Sequence, residues 1–340
     1  MKHLYKFIAL VFIFMIGIAF FSKSIPSISV STTTASSIQD STFPMVYLQV
    51  GESFINPLHG YSSELNSSTV RESITPLDTG KTFAVNIAEN DSKIKKLSYE
   101  LRDIANNKSI ETGDITAFDK NKKYKVATVH LKEAMDTSTE YGFCMTLITN
   151  YSKKIHFYTR IKYYDNDFFL SKKLDFVAKF HAATFDQGKS LDLSQYLESG
   201  TNDDSSYESV DIHSSRKLIT WGKLKPKKLT DVVPTVKELN IETAAISQTY
   251  FVSATTASGS ETYQVKEFYR VRYSGGRIYL LYFKRTMEAI FDPSLISINK
   301  SEVKIGISSA EDLDITSSDS NKKFAFVRNG SLWYYDLKKN

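Results

Sequence analysis

The segment YGFCMTLITNYSKKIHFYTRIKYY, Tyr141 to Tyr164, decides the fold class. Two runs rich in apolar, β-branched and aromatic residues, Tyr141–Thr149 and Lys154–Tyr164, flank the quartet Asn150-Tyr151-Ser152-Lys153. Runs of that kind joined by a short polar loop read as an antiparallel hairpin. Upstream the same texture repeats: VYLQV at Val46–Val50, TFAVNIA at Thr82–Ala88, KKLSYELRDI at Lys95–Ile104 and KYKVATVHL at Lys123–Leu131. In the last of these, Tyr124, Val126, Thr128 and His130 share one face, and Val129 and Leu131 the other, the alternation of a half-buried strand. Short strands at that density predict a β-sandwich of immunoglobulin or fibronectin type over residues 45–165. Cys144, between Phe143 and Met145, reads as a small buried hydrophobe of this sandwich.

Downstream the period changes. Leu170, Leu174, Val177 and His181 fall at helical spacing, and Phe169, Phe176 and Phe180 widen the stripe. Lys172, Lys173, Asp175 and Lys179 are assigned to the opposite, solvated face, and Asp165, Asn166 or Asp167 to the N-cap. The helix is expected to pack on a sheet; a Lys-rich helix lying on a membrane is the alternative. His181 closes the apolar stripe and reads as a satisfied core residue. LDLSQYLES (Leu191–Ser199) suggests a short second helix, LITW (Leu218–Trp221) a strand, and TAAISQTYFVSATTA (Thr243–Ala257) a long strand. Val265–Tyr273 and Arg277–Phe283 then flank Ser274-Gly275-Gly276, a hairpin turn where glycine supplies positive φ. RTMEAIF (Arg285–Phe291) reads as one or two helical turns. Helix followed by meander makes residues 166–316 an α+β domain.

At the end of the sequence, Phe324–Val327, the turn Asn329-Gly330 and Ser331–Asp336 read as a further hairpin within residues 317–340. With the preceding Ser318-Asp319-Ser320-Asn321-Lys322-Lys323 it resembles the opening of a TolB- or WD-like β-propeller blade. Since one hairpin cannot bury its own face, it either pairs with the preceding domain or begins a region that continues in a longer protein.

The beginning reads as an address. Lys2 and Lys6 precede fifteen uncharged, mostly apolar residues, Phe7 to Phe21. Bulky Phe20 and Phe21 stand where a cleavage site needs small residues, so an uncleaved signal-anchor is preferred over a removed signal peptide. Lys2 and Lys6 then stay cytoplasmic in residues 1–6, residues 7–21 cross the membrane, and the body lies outside. Residues 22–44, with twelve Ser or Thr among 23, read as a stalk. A formal net charge of +5 over 340 residues is too weak for nucleic-acid binding to lead, so the expected partners are the membrane and a protein or cell-envelope component. The single cysteine allows no internal disulfide and no Cys-based zinc site, which for an outward-facing chain suits a Gram-positive bacterium.

Little catalytic chemistry is legible. The six histidines show no metal-ligand spacing, and no nucleophile elbow, phosphate loop or dinucleotide fingerprint occurs. No catalytic residue, metal ligand or cofactor is therefore assigned. One irregular stretch combines an aromatic, a histidine, an acid and an arginine. Its His59, Tyr61, Glu64 and Arg71 are the candidate ligand-binding residues, with a structured crossover of the sandwich as the plainer reading.

Taken together, the anchor, the Ser/Thr stalk, FYRVRYSGGRIYLLYFKRTMEAIF and FAFVRNGSLWYYD look like cell-surface proteins of clostridia-type bacteria, in which a β-rich ectodomain continues into a propeller-like region. The anchor-plus-ectodomain plan is also similar to the YycH/YycI regulators of cell-wall sensor kinases. The leading expectation is a non-enzymatic, membrane-anchored protein of mainly β structure that binds an envelope or protein partner. A regulator acting through its anchor helix, and a surface hydrolase using His59 and Glu64, are the alternatives.

Overall fold

Strands make up 54% of the structure and helices 9%, so the chain is mainly β. The computed structural model describes residues 43–290 except 67–68, 107, 122, 166–167, 199–205 and 257–258, and the segments 297–299, 302–304, 315–320, 322–328 and 331–336. The anchor and nearly all of the stalk lie outside the described residues. Among those described, no helix is long and apolar enough to cross a membrane.

Ten strands build the first part: β1 (Met45–Val50), β2 (Ser53–Leu58), β3 (Ile74–Leu77), β4 (Thr82–Ala88), β5 (Ile94–Asp103), β6 (Lys108–Ile115), β7 (Asp119–Asn121), β8 (Tyr124–His130), β9 (Glu140–Thr149) and β10 (Lys154–Tyr163). They form two five-stranded sheets, ordered β2-β1-β4-β8-β7 and β3-β10-β9-β5-β6. All pairs are antiparallel except β3 with β10, which run parallel. The alternation read in β8 holds: Ala127 and Val129 are buried, Thr128 and His130 exposed. Each sheet offers one apolar face, and the two faces meet at Phe83 of β4 and Phe143 of β9, whose rings pack edge to face with centroids 5.3 Å apart. Near the start of β9 the Tyr141 hydroxyl accepts a hydrogen bond from the Asp136 backbone N–H at 2.8 Å.

The segment read as irregular carries β2, β3 and a lone bridge between Tyr61 and His156. Both strands lie at sheet edges, where Pro57 and Pro76 need no ladder partner on one side. Asn56 sits here at φ 51° and is fully buried.

The second part opens with α1 (Leu170–Phe185) and continues through β11 (Ser209–Asp211), α2 (Arg216–Ile219), β12 (Lys227–Lys228), β13 (Thr235–Leu239), β14 (Thr243–Thr256), β15 (Gly259–Ser274) and β16 (Arg277–Ala289). Its sheet runs β11-β16-β15-β14-β12, with β13 also on β14. The helix lies on one face of this sheet, Phe180 meeting Tyr269 at 5.8 Å and Phe283 at 5.1 Å. Gly275 and Gly276, at φ 58° and 78°, close the β15–β16 hairpin as expected for a two-residue loop.

The structure departs from the sequence expectation at four places. The helix has no acidic cap: Phe169 occupies the N-cap in the left-handed region, without a side-chain bond. Packing decides this, since Phe168 stacks against Tyr164 at 4.9 Å and Phe169 against Tyr273 at 4.7 Å. Lys173, placed on the solvated face by periodicity, is fully buried and donates to the carbonyls of Phe168, Asn240 and Ile241 at 2.7, 2.8 and 2.7 Å. Leu218–Trp221 is not a strand: Ser215 caps a single helical turn by accepting from the Leu218 N–H, and the chain reverses at Trp221 with φ 64°. Arg285–Ala289 is strand rather than helix, because β15 supplies a ladder, Val265 opposite Met287 and Tyr263 opposite Ala289, that outweighs local propensity. Leu191–Ser199 holds one 3₁₀ turn, Leu193–Gln195.

The strand β13 is held from both sides. It pairs with β14, while Asn56 donates to the Ile74 carbonyl at 2.8 Å and accepts from the Val236 N–H at 2.8 Å. Arg160 reaches the Lys237 carbonyl at 3.2 Å and Lys162 the Leu239 carbonyl at 3.0 Å. One core cluster accordingly runs from Val46 and Leu48 through Phe143 to Phe180 and Phe283. Gln39–Asp312 forms one compact unit. A two-stranded sheet, β17 (Ser297–Asn299) with β18 (Glu302–Lys304), follows within it.

The other unit includes Leu313–Asn340. There the expected hairpin is present as β20 (Lys323–Arg328) and β21 (Ser331–Asp336), and β19 (Ile315–Ser317) adds a third antiparallel strand.

Candidate functional site

The four candidates from the sequence fall on the chain that leads from β2 to β3 across the edge of β10. His59, Glu64 and Arg71 are exposed and Tyr61 is half-buried. Tyr61 donates to Glu72 at 2.6 Å, closing the loop on itself, and its ring meets Tyr158 at 5.9 Å. Burial, and then the hydrogen bond to Glu72, push the Tyr61 hydroxyl up to about 12. No hydrogen bond or ion pair joins His59 to Glu64 or to Arg71 among the described residues. The loop is tied down by Tyr158, which accepts from the Leu65 N–H at 2.7 Å. Cys144, expected as a core hydrophobe, is instead part-exposed: the alternation of β9 turns Phe143 and Met145 into the core and Cys144 to the other face beside Tyr158, where desolvation pushes its thiol up to about 11. Among the described residues, no group of three His, Cys, Asp or Glu could hold a metal ion.

A second constellation is buried between α1 and its sheet. Opposite residues of the three long strands, Gln248, Glu267 and Arg285, form one row on the core face. Glu267, 1% exposed, accepts from His181 Nδ1 at 2.8 Å, the Tyr250 hydroxyl at 2.9 Å and the Tyr269 hydroxyl at 2.8 Å. Arg285 donates to the Ile219 and Leu218 carbonyls at 2.8 Å each and stacks 3.5 Å from the centre of the Trp221 ring. Burial alone favours the neutral acid, but the charge and hydrogen bond of His181, the charge of Arg285 and the Tyr269 hydroxyl outweigh it and hold the Glu267 carboxyl below its usual value. Burial and the Glu267 charge push both tyrosines well up. The expected satisfied core role of His181 is met at Nδ1; among the described residues its Nε2 has no hydrogen-bond partner. This cluster is closed to solvent and braces the helix on the sheet.

The third constellation occupies the opposite, outer face of the same sheet. Strand alternation that sends Val265, Glu267, Tyr269 and Val271 inward sends Lys266, Phe268, Arg270 and Arg272 outward. On β16, Tyr279, Tyr282 and Lys284 take the outward positions. A bulge sets this arrangement: Arg270 pairs with Tyr282 but Val271 with Leu280, so Leu281 is the extra residue and is also exposed. Across the two strands the register gives three rows, each joining a cation to an aromatic ring: Lys284 with Phe268, Arg270 with Tyr282, Arg272 with Tyr279. Arg272 and Arg277 lie 5.1 and 5.2 Å from the centre of the Tyr279 ring, and Phe268 meets Tyr282 at 6.0 Å with their planes 66° apart. Between Lys266 and Lys284 the one acid is the buried Glu267, so every exposed charge of that stretch is positive; Glu261 and Glu288 stand farther along the two strands. Arg270 has a loose partner in Glu238 at 3.5 Å. Lys266, Arg272, Arg277 and Lys284 have no ion pair among the described residues.

Exposed cations, of which Arg270 alone has an ion-pair partner among the described residues, alternating with exposed aromatic rings on a rigid sheet, can bind an anionic partner with an apolar face. Sequence reading took this hairpin for its turn and missed the face. Its signal was available as a period of two, with cation or aromatic at every second residue from Lys266 to Arg272. No protein-family model and no curated protein matches the chain.

Proposed function

We propose that this chain is a non-enzymatic, membrane-anchored extracytoplasmic binding protein, held by residues 7–21 and raised on the stalk 22–44. Its first part is an immunoglobulin-like sandwich, and the outer face of the β15–β16 hairpin docks a cell-envelope partner. Strand order supports the sandwich reading. β1, β4, β8 and β7 stand in the order A-B-E-D, and β10, β9 and β5 in the order G-F-C, with β6 beside β5. Tyr141, near the start of the F-like strand and bonded back to the Asp136 backbone, matches the tyrosine corner of such domains. Two residues on, where antibody domains carry the second cysteine, Phe143 packs on Phe83 of the B-like strand. An aromatic pair thus bridges the two sheets where a disulfide otherwise would.

A fold does not assign a function, so the binding reading rests on one observation: the exposed face of Lys266–Lys284 is uniformly positive and interleaved with aromatic rings. The test uses the full chain in detergent, sedimented with washed envelope fragments of a Gram-positive bacterium. The expected result is co-sedimentation that Tyr279→Ser/Tyr282→Ser weakens at least tenfold; co-sedimentation indifferent to that pair sinks the assignment of the face. For the anchor, the full chain made in bacteria should stay with membranes through alkaline extraction. Its release would remove the anchor from the proposal.

A further inference from the structure

The rows of the outer face repeat, and that repetition points to a ligand class. We propose that the face of Phe268, Arg270, Arg272, Tyr279, Tyr282 and Lys284 binds a phosphate-bearing glycan polymer, a chain of sugar-substituted units joined by phosphodiesters; this rests on the envelope-binding reading above. Same-face residues on a strand recur about every 7 Å, so the three cation–aromatic pairs follow one another every second residue along β15, while on β16 the bulge at Leu281 sets the last of them three residues on. A ladder of similar cation–aromatic sites suits a ligand of repeating units better than a single folded epitope. Each unit asks for two things, a cation for its phosphate and an apolar surface for a sugar face. Guanidinium supplies the first with bidentate geometry, and its stacking on Tyr279 holds Arg272 and Arg277 ready.

Geometry separates this ligand from single-stranded nucleic acid, the other polyanion that aromatic and basic residues serve. Base stacking needs open, similarly oriented ring faces. Here Tyr279 carries two guanidiniums and Phe268 meets Tyr282 at 66°, so the rings offer edges and a shallow apolar patch. Neighbouring outward positions on β14, Thr243, Ser247 and Thr249, are hydroxyl-bearing and uncharged, which suits sugar hydroxyls. A cation set in which Arg270 alone has an ion-pair partner also favours the phosphate polymer over a neutral glycan.

The experiment compares four immobilised probes for the full chain in detergent: a glycosylated poly(ribitol phosphate), the same polymer stripped of sugar, a neutral polysaccharide and an oligothymidylate. The glycosylated polymer is expected to bind tightest, with affinity falling steeply as salt rises. Arg270→Gln/Arg272→Gln and Phe268→Ser/Tyr282→Ser should each weaken it at least tenfold, with unchanged thermal melts. Equal or tighter binding of oligothymidylate, or of the neutral polysaccharide, overturns the proposal, as does wild-type affinity in both variants. If the chain sediments with intact envelope through this face yet ignores the purified polymer, the ligand class is wrong and the binding reading stands. If it ignores the envelope as well, both fall.

Discussion

Replacing Glu267 by Gln tests whether the cluster under α1 is the ionic brace that its geometry describes. Wild-type Glu267 accepts hydrogen bonds from His181, Tyr250 and Tyr269 and shares a cross-strand row with Arg285. The amide keeps the shape and an acceptor oxygen but removes the negative charge facing a fully buried guanidinium. Each hydrogen bond to a charged group contributes about 1.5–3 kcal/mol, and breaking one partner of a buried ion pair costs about 3–5 kcal/mol. Because the amide can still accept from one or two of the three donors, about 3 kcal/mol is expected for Glu267→Gln, and about 5 kcal/mol for Glu267→Leu. In a domain of this size that corresponds to Tm losses of roughly 6–12 °C and 10–20 °C. Urea titration of the full chain measures it as a lowered midpoint at constant slope. The carboxyl is held below its usual 4.5, so its contribution is full at neutral pH and is lost as the pH falls through the folded value, below 4.5. The gap between wild type and variant should therefore close on acidification. Arg270→Gln, on the outer face of the same strand, is the control and should stay within about 0.5 kcal/mol. A Glu267→Gln midpoint indistinguishable from wild type at pH 7 would falsify the ionic brace.

Three other perturbations follow from described contacts. Lys173→Met strips four carbonyls of their donor and should cost about 2–4 kcal/mol, with amide exchange rising first at residues 240–243; exchange that rises uniformly counts against a local role. Tyr141→Phe leaves the Asp136 N–H without its acceptor and should lower stability by about 1–2 kcal/mol, read by urea midpoint, with no change in the circular dichroism spectrum. Cys144, part-exposed but with its thiol raised to about 11 by desolvation, should react with a maleimide at pH 7.5 more slowly in the native chain than in denaturant; native labelling at the denatured rate refutes the raised thiol.

The strands that carry the two sheets were legible because their apolar residues alternate without interruption: β4 was read at its observed bounds, and β8, β9 and β10 within a residue or two. β2 and β3 were not, since Pro57, Pro76 and a left-handed Asn56 are turn signals that edge strands tolerate. The helix α1 was legible as a stripe, but the inward turn of Lys173 was not. Besides the Phe168 carbonyl, its partners are carbonyls some seventy residues downstream, which no local period can encode. Residues Arg285–Ala289 show the same limit, because a strand partner rather than local preference sets their conformation. For the candidate site, periodicity holds the face but not its register: that Arg272 stands beside Tyr279 and Arg270 beside Tyr282 depends on the bulge at Leu281.

The shared strand β13 has a practical consequence for anyone who would cut this molecule. The change of texture near Tyr164 invites a truncation there. Such a piece would leave the Asn56 carboxamide oxygen, the Arg160 guanidinium and the Lys162 ammonium without the backbone of Val236, Lys237 and Leu239 that they grip. The complementary piece would carry β13 with one flank bare, an open edge of the kind that recruits other chains. Fragments made on either side of Tyr164 should be poorly soluble alone and recover when co-expressed, behaving as two halves of a split protein.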